Sequence, residues 1–229
     1  MRALLYEAIK RGTPPGMRRA LKAQPRAMQL LYSIFGSHIY STSYYEQVEQ
    51  MERGSMAVLA GWILSTLKPR RVVDVGCGPG HLIAALHRGG ASVLGLDYSG
   101  ASGELVLGKG LPFETFDLTV ARPLPGAPWD LAVCCEVAEH LEARHADVFV
   151  ENLASASDTI FLTAAEVGQE GGLNHVNEQP NAYWIAKFEG RGFKLDSELT
   201  AQARKTFAER MVVHYLAKPM IFHKISAQN

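Results

Sequence analysis

Glycines after a short apolar run, carboxylates at the ends of others and histidines beside glutamates are the residues of this chain whose spacing could do chemistry. Residues 72–80 read Val-Val-Asp-Val-Gly-Cys-Gly-Pro-Gly, so Asp74, Gly76, Gly78 and Gly80 form D-x-G-x-G-x-G. Glycine here lets the backbone turn sharply and bring its N–H groups close to a ligand, which a Cβ would obstruct. A dinucleotide fingerprint, G-x-G-x-x-G, places its third glycine one residue later and lays a pyrophosphate on the helix N-terminus. In this chain the third glycine comes early and an acid precedes the first. A carboxylate beside the turn repels a pyrophosphate and suits a ligand carrying an ammonium group, which points to S-adenosylmethionine.

Two further acids follow. Asp97 closes the run Leu94-Gly95-Leu96-Asp97, and Asp117 sits in Phe116-Asp117-Leu118. In an open parallel sheet, ligands bind beyond the carboxyl ends of the strands. A carboxylate there can accept both ribose hydroxyls, or the amino group of adenine; the plain alternatives are an exposed strand-end Asp97 and a turn Asp117. Downstream, Glu136, Glu139 and His140 occur in Glu-Val-Ala-Glu-His-Leu, and His175 in Asn-His-Val-Asn-Glu-Gln-Pro. On a helical turn Glu136 would meet both Glu139 and His140. Two carboxylates and two imidazoles can hold a divalent cation, with the oxygens favouring Mg²⁺ or Mn²⁺. Alternatively His175 acts as a general base without metal, or the set is purely structural.

The elements that must position these residues alternate. A helix is expected over 46–67, ending at Lys68-Pro69, then a strand Arg71–Val75 and a helix His81–Arg88 stopped by Gly89-Gly90. Strands are expected at Ser92–Leu96, Trp129–Cys135 and Thr159–Thr163, with helices over 144–154 and 180–190. Residues 99–110 hold Gly100, Gly103, Gly108 and Gly110. Each glycine costs up to about 1 kcal/mol in a helix interior, so the second crossover helix should be short or irregular. The C-terminal part reads as strand Phe193–Leu199, a helix near 200–209 and an extended tail, Met211–Ile225. The pattern is α/β: a doubly wound, mostly parallel sheet.

Composition narrows the class. With 47% hydrophobic residues in 229, the chain can bury one sizeable core. Cys77, Cys134 and Cys135 do not form a disulfide framework, because neighbours on a strand point to opposite faces, and a reducing cytoplasmic setting is the default. No apolar stretch of about 18 to 20 residues exists, so no transmembrane segment is expected. The formal net charge is zero, yet residues 1–35 hold Arg2, Lys10, Arg11, Arg18, Arg19, Lys22 and Arg26 against Glu7 alone. This basic arm reads as amphipathic helix with a solvated face, or as a contact for an anionic substrate or a peripheral membrane surface.

On the motifs VDVGCGPG, LGLDYS, FDL and DLAVCCEVAEHL, the chain resembles the class I, seven-stranded, Rossmann-like S-adenosylmethionine-dependent methyltransferases over roughly residues 70–225. The resemblance implies a seven-stranded sheet with a reversed C-terminal hairpin, and S-adenosylmethionine as cofactor. It assigns the turn Asp74 to Gly80 (Asp74, Gly76, Cys77, Gly78 and Gly80) to the methionine end, Asp97 to ribose and Asp117 to adenine, with Tyr98 and Leu118 also among the cofactor-binding residues. The segment Cys135 to Val137 then faces the substrate, with Cys135 on the cofactor side. The set Glu136, Glu139, His140 and His175 resembles the metal ligands of small-RNA 2′-O-methyltransferases, and part of it is similar to the site of ubiquinone-pathway O-methyltransferases. His175, Glu136 and His140 are the catalytic candidates; His175, Asn177, Tyr183, Trp184, Tyr40, Tyr44 and Tyr45 are candidates to align the substrate. The expected organisation is an N-terminal helical arm and lid, 1–68, and a methyltransferase domain, 69–229, as monomer or homodimer. The expected reaction is O-methylation of a small-molecule hydroxyl such as a sugar, phenol or secondary metabolite. RNA 2′-O-methylation and N-methylation of a small amine are the alternatives. The chain lacks an obvious RNA-binding domain, and nucleic acid is not the expected partner. A nicotinamide-dependent reductase is disfavoured by the glycine spacing, and a non-catalytic module by the intact cofactor motif.

Overall fold

The structure, a computed structural model, describes residues 42–169, 175–211 and 213–225, apart from the side chains of 42–44, 46–51, 214 and 215. Its centre is a seven-stranded sheet: β1 (Arg71–Val75), β2 (Ser92–Asp97), β3 (Phe113–Thr115), β4 (Leu131–Cys135), β5 (Thr159–Thr163), β6 (Phe193–Leu195) and β7 (Met220–Lys224). The spatial order is β3-β2-β1-β4-β5-β7-β6. Strands β1 to β5 pair in parallel, and β7 runs antiparallel to both β5 and β6. The doubly wound sheet with a reversed strand near its C-terminal edge is as expected. Chain order reverses between β1 and β4, which opens the crevice where such sheets bind ligands.

Strand residues alternate between the two faces. Val73 and Val75 of β1, with Ile160 and Leu162 of β5, join the core under α4 (Ala146–Ala156) and α5 (Asn181–Glu189), where Phe149, Leu153, Trp184 and Phe188 pack. Val72 and Phe161 face the other way, onto α1 (Thr42–Trp62), α2 (His81–Arg88), α3 (Gly100–Gly108) and α6 (Ser197–Arg210). The adjacent cysteines obey the same period: Cys134 joins the first core and Cys135 packs against the second, and all three thiols are free. No helix among the described residues is long and apolar enough to cross a membrane.

Helix α1 shares the sheet's core. Leu59, Trp62 and Ile63 are buried there, and Trp62 lies edge-on to Phe207 at 5.6 Å between ring centroids. The helix runs into one wide π turn, Ile63–Leu67, and stops where Lys68 adopts a left-handed conformation (φ 52°) and donates its N–H to the Ile63 carbonyl. Pro69 then bars continuation.

Several boundaries differ from expectation. Strand β3 ends at Thr115, so Asp117 lies two residues beyond it. Helix α6 begins at Ser197, capped by Asp196, whose carboxylate accepts the Leu199 N–H, so the expected strand stops at Leu195. The expected extended tail contains a 3₁₀ turn, His214–Ala217, before β7. Helix α3 is nine residues long, as its glycines require. The basic arm and Tyr40 lie outside the described residues.

Trp62→Ala should destabilise the protein by about 3–5 kcal/mol, since it opens a cavity between α1, β5 and α6. Urea unfolding checks this; a loss under about 1 kcal/mol would mean that α1 is not part of the core.

Candidate active site at the strand-order switch

The glycine turn leaves β1 at the crevice. Gly76 (φ 78°) and Gly78 (φ 50°) hold left-handed conformations that other residues rarely adopt. A Cβ at Gly76 would run into Val137, and one at Gly78 would meet the Tyr45 ring at 3.5 Å. The Gly76 and Cys77 N–H groups both donate to the Leu96 carbonyl, while Gly78 N–H donates to Asp97 Oδ2 at 3.0 Å. Asp97 Oδ1 accepts the Ser99 N–H at 2.9 Å. The Tyr98 amide and the Ser102 side chain also favour its charge, so backbone and side chain together fix this carboxylate at the cleft. Ser102, buried on α3, donates its hydroxyl to the Gly78 carbonyl and holds the turn from the other side.

A cleft of about 380 Å³ opens at this point, within the range of small-molecule sites. Of the residues predicted from sequence, Gly76, Asp97, Tyr98, Asp117, Leu118, Glu136 and His140 line it, together with Tyr45. Asp74, Cys77, Gly78, Gly80, Cys135 and His175 are not among its lining residues. Asp74 is buried below the turn, Cys77 Sγ faces Ser102, and Cys135 packs into the core. Burial pushes the Cys135 thiol well up, so it is a poor nucleophile. Asp117 is occupied by an Asx turn: Oδ1 accepts both the N–H (2.9 Å) and the hydroxyl (2.6 Å) of Thr119. Phe116, unremarked in the sequence, contributes an apolar wall beside it.

The cleft is anionic. Burial, then the charges of Asp97 and Glu52, push the Asp74 pKa up to about 7. Burial also raises Asp97, against which the Ser99 and Gly78 amides pull down. Glu52 was missed by sequence reading: it lies on α1 seven residues after Tyr45, a spacing that puts both on one helix face, and its charge also raises Cys135 and Glu136.

The segment after β4 does not form the expected helical turn. Glu136 takes a left-handed conformation (φ 56°), its N–H donating to the Thr163 carbonyl, and a 3₁₀ turn begins only at Ala138. The reversal leaves Glu136 beside Glu139, where the two carboxyls interact directly, but outside the trio whose ligating atoms meet. Glu139, His140 and His175 bring ligating atoms within 4.8 Å of one another, without Glu136. Glu136 Oε2 instead accepts from Gln169 Nε2 at 2.9 Å. Glu139 is fully buried, and neither oxygen has a well-formed hydrogen bond, though the Glu139 and Ala165 amides lie near enough to favour its charge. Burial raises both glutamates, and Glu139 rises further because Glu136 stands beside it. His175 Nε2 lies 3.9 Å from Glu139 Oε1, and the His140 and His175 ring centroids are 5.0 Å apart. An under-bonded buried carboxylate beside two imidazoles is a donor set that fits a divalent cation.

Comparison with known proteins identifies the family. A family model described as a methyltransferase domain matches residues 48–164, about half of the chain. The ubiquinone biosynthesis O-methyltransferase of Paracidovorax citrulli is 37% identical over 91 residues, covering 35% of this chain and 38% of that protein. Trans-aconitate 2-methyltransferase of Mycobacterium tuberculosis is 36% identical over 85 residues, covering 36% and 31%. The matched segments thus span less than two-fifths of the curated relatives' length. The magnesium protoporphyrin IX methyltransferase of Synechocystis superposes with a TM-score of 0.59 at 18% identity, over 78% of this chain and 86% of that one; at that identity the likeness shows the fold. The chain belongs to the class I S-adenosylmethionine-dependent methyltransferase family.

Because the folded state holds the Asp74 proton up to about pH 7 and the unfolded chain releases it near 3.8, stability contributed by protonated Asp74 is lost as pH rises between those values. The slope is at most about 1.4 kcal/mol per pH unit. Thermal melts of the ligand-free protein should therefore fall from pH 5 to pH 7, and less steeply in Asp74→Asn. Equal slopes would show that Asp74 is ionised throughout.

Proposed function

We propose that this protein transfers the methyl group of S-adenosylmethionine to a hydroxyl oxygen of a small molecule, with a divalent cation held by Glu139, His140 and His175. The observation that carries the reading is the buried, under-bonded Glu139 carboxylate between two imidazoles, beside a cleft that His140 and Glu136 line. The relatives' names, an O-methyltransferase of ubiquinone biosynthesis and a methyltransferase of trans-aconitate, support a small acceptor.

In this reading residues 69–229 carry the cofactor unit, and α1 closes the cleft through Tyr45. The chain presents its backbone at Gly76 to the methionine end, where Asp74 and Glu52 set a negative potential for the ammonium and sulfonium charges. Asp97 accepts the ribose hydroxyls. Tyr98, Phe116, Asp117 and Leu118 enclose the adenine end. The chemistry supplied by the bound cofactor is a sulfonium-activated methyl group; a cation at the histidine cluster would lower the pKa of the acceptor hydroxyl. Glu136 lines the cleft and burial raises its pKa to about 7, so it can take the hydroxyl proton near neutral pH. A bound donor would give its methyl group to that oxygen and leave as the thioether, and the protein's share is alignment and exclusion of water.

A screen of catechols, sugars, amines and short RNAs for S-adenosylhomocysteine release should single out a hydroxyl acceptor. With that acceptor, a strong chelator should abolish most turnover and Mn²⁺ restore it. Glu136→Gln should lower kcat by about 10²-fold with cofactor affinity retained. Preference for amines, or full turnover in chelator, would overturn the oxygen or the metal part of the reading respectively.

A further inference from the structure

Both nitrogens of His175 face carboxylates. Nδ1 lies 3.0 Å from Glu178 Oε1, whereas Nε2 lies 3.9 Å from Glu139 Oε1. The ring is nearly enclosed, with its side chain 6% exposed. A neutral imidazole carries one N–H, and its other nitrogen presents a lone pair. Of these two contacts that to Glu178 has hydrogen-bond length and that to Glu139 does not, which places an N–H on Nδ1. Glu178 is itself held, because its Oε2 accepts the Gly168 N–H at 3.1 Å. The backbone around it is fixed too: Val176 and Asn177 both donate N–H to the Glu139 carbonyl, at 2.8 and 3.0 Å. The loop carrying His175 is thereby docked on the turn that carries Glu139 and His140.

We infer that Glu178 is the positioning residue of His175, fixing the Nδ1–H tautomer and aiming an unprotonated Nε2 at the centre shared with Glu139 and His140. The inference rests on the proposed role of His175 as a ligand at the acceptor end. Nε2 and Glu139 Oε1 then face each other across 3.9 Å, a gap that a cation held by both would span. Carboxylates that accept from the far nitrogen of a ligating imidazole set its tautomer and orientation, and their loss typically weakens metal binding about 10- to 100-fold. Nothing in the spacing His175-x-x-Glu178 announces this on its own; the backbone between them must turn to bring the side chains together.

Long-range ¹H–¹⁵N NMR of the metal-free full chain reads the tautomer directly. The wild type should show His175 protonated at Nδ1 alone, Glu178→Gln should keep that state because its amide oxygen accepts the same bond, and Glu178→Ala should shift it towards Nε2–H. Calorimetric titration with Mn²⁺ should show weaker binding by about 10- to 100-fold in Glu178→Ala and most of the affinity in Glu178→Gln. An Nε2–H tautomer or an imidazolium in the wild type overturns the inference, as does a Glu178→Ala protein with the wild-type tautomer. If the wild type takes up no Mn²⁺, the metal reading fails while the tautomer still decides the role of Glu178.

Discussion

Negative charge buried at the carboxyl ends of β1, β2 and β4 is the constraint on which the rest of this structure turns. Asp74, Asp97, Glu136 and Glu139 converge there, and Glu52 reaches in from α1. Burying like charges is costly, and the group responds by holding protons that exposed carboxyls would release. A fold retains such a cluster most economically when its ligands are cationic. The methyl donor of this family carries a sulfonium and an ammonium, and the histidine-bearing end suits a divalent cation. Both readings follow from the same electrostatic need.

The topology concentrates the charge. Chain order reverses between β1 and β4, so the loops leaving them part and leave a cleft. Each strand delivers one acid at or just past its end: Asp97 closes β2, while Glu136 follows β4. Asp74, within β1, stays below the floor. The glycine turn fits between them because Gly76 lets Val137 pack where a side chain would stand. Two cores, one on each face, pack the sheet that carries these acids.

The parts of this site that depend on backbone shape were legible in the sequence. Gly76 is needed where a Cβ would run into Val137, Gly78 holds a left-handed conformation that glycine favours, and the periods of the strands placed the two cysteines on their faces. Asp117 was less legible, because the glycines of 100–110 blur where α3 ends and β3 starts. The left-handed turn at Glu136 could not be read, since nothing in Glu-Val-Ala-Glu-His favours a positive φ; the structure keeps Glu136 beside Glu139 but outside the trio of ligating atoms. Glu52 and Glu178 were passed over for a different reason. Each matters through a contact made across elements, and an isolated glutamate gives no local signal of that.

The most direct test of the electrostatic account is the proton balance of cofactor binding. S-adenosylmethionine is titrated into the ligand-free protein at pH 7 in buffers of different ionisation enthalpy. If cationic charge enters a cluster that includes a half-protonated Asp74, binding releases protons and tightens as pH rises through about 7. Binding without proton release and without pH dependence, or binding of NAD(H) in place of S-adenosylmethionine, would contradict it.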